Sequence, residues 1–250
     1  MNEIKQGDIW ILGKSRLMCG NSLKTTDIDK LLDGQKADML FTDPPYNVNY
    51  SPESRGRCRT KPNLRIMGGI MGDKDTPDAF NAIKFLELLN TGIVKGACYI
   101  CCGTNQIQIY YPWIHKHMEY RPTFIMWIKN GFSMLGRDYH SQYEPILYFY
   151  FNEKKWRGDR AQTDVWFIKR RNTAKYFHPT QKPVALAQKA ILNSSDINDI
   201  VLDLFGGSGM TLIACENTER RCYMMELDPI YIKIIIDRWE AFTKQEAIKL

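Results

Sequence analysis

The sequence predicts an α/β fold: a mostly parallel sheet with helices on both faces, formed by one domain over residues 1–250. Three observations lead there. Strand-like and helix-like stretches alternate from Ala37 to the C-terminus, the pattern of a sheet whose crossovers are helices. With 250 residues and 44% hydrophobic content, the chain can bury one substantial core. Two of the expected strands end in unusual sequences, FTDPPYN and DLFGGSGMT, and sheets of this kind bind ligands outside the carboxyl ends of their strands.

The elements follow in order. IWILGKSRLMCG reads as two short strands around a Gly-Lys-Ser turn. DIDKLLDGQ is a short helix with an acid at its start and Gly34 beyond its end, and ADMLFTD is a buried strand. Residues 47–76 are polar and rich in Gly, Pro and Arg; a loop that long is expected to be functional and mobile. A helix opens at Thr76-Pro77 and closes at Gly92. GACYICCG is a strand, followed by a helix near 105–117 and the apolar strands TFIMWIK and EPILYFYF. KPVALAQKAILNSS is a helix, DIVLDLF a strand, GMTLIACENTE a helix, RCYMMELD a strand, and PIYIKIIIDRWEAFTKQ the last helix.

Composition excludes several classes. No run approaches the ~20 apolar residues of a membrane span; YEPILYFYF is short and interrupted by Glu144 and Pro145. The start, MNEIKQGDIW, lacks the charged-then-apolar pattern of a secretory leader, so a cytoplasmic protein is expected. Seven cysteines in a chain this long do not suggest a disulfide framework. ACYICC reads as a buried strand with Cys98 and Cys101 on opposite faces, and no second Cys/His pair stands at zinc-site spacing, so no metal is expected.

The formal charge of +6 is mild, but its distribution is uneven. Arg55, Arg57, Arg59 and Lys61 lie in a stretch without acids. A second basic region contains Arg157, Arg160, Lys169, Arg170 and Arg171, interleaved with Trp156, Trp166, Phe167 and Tyr176. Cations that meet phosphates, set among rings that stack on bases, suit nucleic acid, and residues 152–176 are the expected recognition segment. A solvated charged loop fits the same composition.

VLDLFGGSGMTLIA passes from a strand through Gly206, Gly207 and Gly209 into a helix. Glycines allow a sharp turn and close approach of a ligand to the backbone, and free N–H groups at the helix start hold polar or anionic groups. The Gly-Lys-Ser/Thr ending of a triphosphate-binding loop is missing. Glu226 stands at the end of the next expected strand, where an acid accepts hydrogen bonds from both hydroxyls of a ribose. Asp228-Pro229 is the better cap for the last helix, which leaves Glu226 free. A ribose-bearing ligand follows; NAD and S-adenosylmethionine stay open on this turn alone.

Asp43-Pro44-Pro45-Tyr46 has a plain reading, since two prolines end a strand. Its chemical reading is more demanding. The exocyclic amine of a nucleobase is a poor nucleophile, because its lone pair is delocalised into the ring. A carboxylate and a fixed carbonyl that accept its two N–H bonds draw the nitrogen toward tetrahedral geometry and stabilise the charge that develops on attack. Asp43 supplies the carboxylate and Pro44 the carbonyl, while Pro45 holds the backbone rigid. Tyr46 offers a ring for a base that has left the helix.

TDPPYN with the downstream DLFGGSG resembles the S-adenosylmethionine-dependent amino-methyltransferases of DNA. The order, catalytic motif first and glycine turn last, resembles their circularly permuted beta class, and the resemblance covers nearly the whole chain. HPTQKPVAL is similar to that class's cofactor-side motif, and MWIKNGFSMLGRDYHSQYEPILYFY with WRGDRAQTDVW is similar to small phage and prophage modification methylases. The resemblance implies a Rossmann-like methyltransferase fold, S-adenosyl-L-methionine as cofactor, double-stranded DNA as partner, and a bacterial or phage-infected cell. It implies catalytic roles for Asp43, Pro44, Pro45 and Tyr46. It implies cofactor contacts for Asp203, Phe205, Gly207, Ser208, Gly209, Thr211 and Glu226, and methionine-end contacts for Thr180 and Lys182, the lysine matching a carboxylate. CGNSL is similar to a segment near the cofactor adenine but carries Asn21 where the family has Asp; an amide there still hydrogen-bonds. Aspartate as first motif residue implies adenine N6 as acceptor. A cytosine-N4 or RNA amine, and a cofactor-binding regulator without catalysis, are the alternatives. A nicotinamide enzyme would give Asp-Pro-Pro-Tyr no task, and no Pro-Cys is present for 5-methylcytosine chemistry. Target sequence, homodimer formation and a cognate restriction enzyme stay open.

Overall fold

The computed structural model describes residues 3–47, 80–133, 138–170 and 182–250. Strands β1 (Ile9–Leu12) and β2 (Ser15–Cys19) form a hairpin, and helix α1 (Thr25–Leu32) leads to β3 (Met39–Thr42). Helix α2 (Ala82–Leu88) widens into a last turn over Leu89–Ile93, in which Gly92 has φ 86°, and precedes β4 (Ala97–Cys101). Next come α3 (Ile107–His117), β5 (Thr123–Ser133), β6 (Ser141–Tyr150) and β7 (Val165–Phe167). The chain ends with α4 (Val184–Ser194), β8 (Ile200–Asp203), α5 (Met210–Thr218), β9 (Arg221–Glu226), α6 (Pro229–Thr243) and β10 (Ile248–Lys249).

All ten of these strands lie in one sheet, in the order β10-β1-β2-β9-β8-β3-β4-β6-β5-β7. The centre, β2-β9-β8-β3-β4, is parallel throughout, and antiparallel pairs flank it. β3, β4 and β8 are buried along their whole length, as strands covered on both faces must be. Strand alternation then divides the core in two. Met39, Phe41, Tyr99 and Val201 pack with α4, α5 and α6 on one face. Leu40, Cys98, Ile100 and Leu202 pack with α1, α2 and α3 on the other. Cys98 and Cys101 fall on opposite faces, as the strand reading requires.

Two expectations are corrected. Helix α2 begins at Ala82 rather than at Thr76-Pro77, because the Asn81 side chain caps it by accepting from the Lys84 N–H at 2.9 Å; Thr76 and Pro77 lie outside the described residues, as does most of the 47–76 loop. The recognition segment is not wholly a free loop. Its β7 joins the sheet edge in parallel with β5, and Trp166, expected to meet bases, is a core residue, 2% exposed and 6.1 Å from Tyr99 ring to ring.

Parallel register places five carboxyl strand ends on one rim: Cys19 to Asn21 after β2, Glu226 after β9, residues 204–209 after β8, Asp43 after β3, and residues 102–106 after β4. Glu144 of the antiparallel β6 reaches the same rim, since its neighbour Ile146 pairs with Cys101.

Candidate active site

The Asp-Pro-Pro-Tyr turn is held from the next strand end. Gln106, 3% exposed, donates to the Pro45 carbonyl at 2.8 Å, and Asn105 donates to the Tyr46 carbonyl at 3.2 Å. The Pro44 carbonyl receives no hydrogen bond among the described residues. The Tyr46 ring rests on Gly103, where an added Cβ would stand 3.3 Å from its Cδ2. Its hydroxyl donates to Asp43 Oδ1 at 2.9 Å.

Lys182 enters the same pocket. Its buried ammonium donates to Asp43 Oδ2 and to the Tyr46 hydroxyl at 3.1 Å, and pairs with Glu144 at 3.3 Å. Glu144 also binds Lys129 at 2.5 Å and Arg170 at 3.0 Å. Burial alone would push the Glu144 carboxyl up; Lys182 and Lys129 outweigh it and hold it at about 2. Burial likewise works against the Lys182 charge, but Asp43 and Glu144 keep the ammonium above its ordinary value. Asp43 is raised, with burial and Glu144 acting against the pull of Lys182.

One strand away lies the glycine turn. Gly207 has φ 52° and open space where a Cβ would be, whereas a Cβ on Gly206 would stand 2.9 Å from Met224. The Gly207 N–H donates to Glu226 Oε2 at 2.7 Å and the Asp228 N–H to Oε1 at 2.9 Å. Each oxygen keeps a further acceptor site. Burial raises Glu226 to about 7 against those two N–H groups. Asp203 joins the two regions: it accepts from Thr42 at 2.8 Å, the Phe205 N–H at 3.1 Å and Thr211 at 2.6 Å. An exposed glycine backbone, a carboxylate able to take two hydroxyls, and an amine-accepting pair next door fit a ribose-bearing group donor beside an amine substrate.

The sequence model of the DNA methylase family matches residues 37–237. The chain belongs to the DNA methylase family. It is 34% identical to the Type II methyltransferase M2.DpnII of Streptococcus pneumoniae, over 96% of this chain and 97% of that protein. It is 24% identical to the DNA adenine methyltransferase YhdJ of Escherichia coli, over 88% and 82% of the two chains. Its fold is similar to that of M1.HpyAVI solved in complex with SAM, with a TM-score of 0.63 and 24% identity over 89% of this chain and 98% of that one.

The methylase brings together Asp43, Pro44, Pro45, Tyr46 and Lys182, and next to them Asp203, Phe205, Gly207, Ser208, Gly209, Thr211 and Glu226. Phe205 packs edge-on against Phe80 and Phe85, and Ser208 accepts from Arg238 at 2.7 Å through its carbonyl. Asn21 accepts from the Leu23 N–H at 2.9 Å and so shapes the turn before α1. Lys182, expected at the methionine end, also donates to Asp43 directly. Of the cations assigned to DNA, Arg157 is gripped at both ends of its guanidinium by Asp196, at 2.7 and 2.9 Å, and Arg170 is engaged by Glu144. Both cations are thus paired with protein carboxylates, Arg157 at the surface and Arg170 partly buried. Arg160 and Lys169 are exposed, and Phe167 is 79% exposed beside them. Thr180, Arg171, Arg55, Arg57, Arg59 and Lys61 lie outside the described residues.

Sequence reasoning missed Glu144, Lys129, Asn105 and Gln106. For Glu144 a signal was present, a lone acid within an apolar strand run. For the amides there was none, because their role depends on β4 lying beside β3. Gln106→Leu removes the donor to the Pro45 carbonyl at a cost of ~1–3 kcal/mol. Calorimetry is expected to show a thermal midpoint lower by roughly 3–10 °C; an unchanged midpoint would deny Gln106 this supporting role.

Proposed function

We propose that this DNA methyltransferase modifies the exocyclic N6 amine of an adenine flipped out of duplex DNA, at a specific sequence. Its methyl donor is S-adenosyl-L-methionine, which supplies an electrophilic methyl group when bound. Glu226 would hold the ribose hydroxyls, and the backbone around Gly207 and Gly209 would admit the cofactor closely. The observation that carries the reading is the pairing of Asp43 with the Pro44 carbonyl, which receives no hydrogen bond among the described residues, just past the strand next to that of the glycine turn.

Two acceptors at that point take the two N–H bonds of one amine and leave its lone pair directed at the electrophile. The ordered turn supplies this geometry before substrate arrives, since Gln106 and Asn105 already occupy the neighbouring carbonyls. Tyr46 stacks on the base, offsetting part of the few kcal/mol that extrusion costs. Asp43 takes part in no covalent bond; it holds the amine and the charge that grows on it. Arg160 and Lys169, with Phe167, are the candidate DNA contacts among the described residues.

Either amine, adenine N6 or cytosine N4, could present two N–H bonds to this pair, and the family includes both specificities. Adenine is favoured by the aspartate at the first motif position and by the adenine-specific relative of Escherichia coli. The Type II relatives support a restriction-modification setting.

Asp43→Ala is expected to slow methyl transfer by on the order of 10²–10³-fold or more, with cofactor affinity by calorimetry changed less than about threefold. Near-normal turnover would reject the assignment. Cofactor affinity has its own pH signature. Ionised Glu226 accepts both ribose hydroxyls and protonated Glu226 does not, so affinity is expected to rise as pH increases through about 7. Glu226→Gln should bind more weakly and flatten that profile; a variant profile with the same rise would place the titrating group elsewhere.

A further inference from the structure

Each oxygen of Asp43 already accepts one hydrogen bond. Oδ1 accepts from the Tyr46 hydroxyl and Oδ2 from the Lys182 ammonium. Each keeps one further acceptor site, but a substrate amine there has to share the carboxylate with a buried ammonium that already draws on its charge. The Lys182 side chain is 6% exposed, so its charge cannot simply be released to water. It needs a second acceptor within the pocket.

Glu144 is that acceptor. It stands 3.3 Å from the same ammonium, on the strand β6 that pairs with β4. Lys129, only 3% exposed, and Arg170 bind Glu144 from its other sides. They keep the carboxylate ionised and fixed, so that it is ready for a third cation. Three cations thus share two acids, and Lys182 is the one that touches both. We propose that Glu144 is a positioning residue: it draws the Lys182 ammonium away from Asp43 as the substrate amine docks, and so leaves the Asp43 carboxylate to that amine.

Lys182 remains an ammonium throughout, and no proton or covalent bond changes hands; one hydrogen bond of the lysine is strengthened at Glu144 as another is released at Asp43. The role also reaches outward. Arg170 follows β7 in the recognition segment, and its backbone N–H is held by Asn130 at 2.8 Å. DNA contacts made by that segment therefore bear on the same carboxylate that positions Lys182. The proposal rests on Asp43 as the amine acceptor, and its test separates the two claims.

Glu144→Gln keeps the shape and removes the charge. Transfer is measured in single turnover at saturating cofactor and DNA, and DNA affinity is compared for target adenine against purine, which lacks the amine. The variant is expected to transfer about tenfold more slowly or worse. It should also lose about fivefold of the adenine-over-purine preference while binding purine DNA as wild type does. A rate within about twofold of wild type overturns the proposal. So does a slower rate with the adenine preference intact, which would mark Glu144 as merely structural. Glu144→Asp, with charge kept and reach shortened, is put through the same two measurements if the glutamine variant does not fold. Absence of transfer to a DNA amine by the wild-type protein would instead overturn the underlying function.

Discussion

A carboxylate set in a pocket beside a buried ammonium governs the architecture of this methylase. Burial disfavours charge on Asp43. Lys182 offsets that cost, and Lys182 in turn is sustained by Glu144, which is held by Lys129 and Arg170. The two buried ammonium groups, Lys182 and Lys129, are each paired with a carboxylate. Removal of one partner leaves an uncompensated charge, and that is why the group behaves as a unit. The same arrangement brings together four parts of the chain that are far apart in sequence: the end of β3, strands β5 and β6, the segment after β7, and the start of α4.

Sheet topology makes this convergence feasible. Parallel strands put their carboxyl ends on one rim, so the amine pocket after β3 and the glycine turn after β8 become neighbours despite their distance in the chain. Asp203 fastens the two. Its oxygens accept from Thr42, next to Asp43, and from Thr211 in the first turn of α5. A buried side chain thereby ties the end of β3 to the first turn of α5. On the cofactor side, Glu226 is oriented by the Gly207 and Asp228 N–H groups before any ribose arrives. Preorganisation of this kind moves the cost of alignment from the reaction to the fold.

Much of this was legible in the sequence wherever the signal was local. Alternating strand and helix patterns, the rigid Pro-Pro turn, the glycine turn and the acid after β9 all follow from short-range chemistry, and Asp228 caps α6 as its sequence suggests. What was not legible depended on pairing between distant segments. Lys182 read as a cation for a carboxylate, and the fold pairs it with two carboxylates of the protein itself, Asp43 and Glu144. Arg157 read as a phosphate contact, and in the fold it forms an exposed ion pair with Asp196, 39 residues away. Trp166 looked like a stacking platform until β7 carried it into the core. Charge composition indicates how many cations exist; only the fold shows which of them pair with carboxylates.

The central claim, that Asp43 and the Pro44 carbonyl present an adenine amine for methylation, is tested most directly by the chemical identity of the product. Duplex DNA is incubated with the protein and isotopically labelled S-adenosylmethionine, digested to nucleosides and resolved by mass spectrometry, with RNA treated in parallel. The account predicts label in N6-methyldeoxyadenosine from duplex DNA and none in N4-methyldeoxycytidine. Label in N4-methyldeoxycytidine, or in RNA alone, would contradict it.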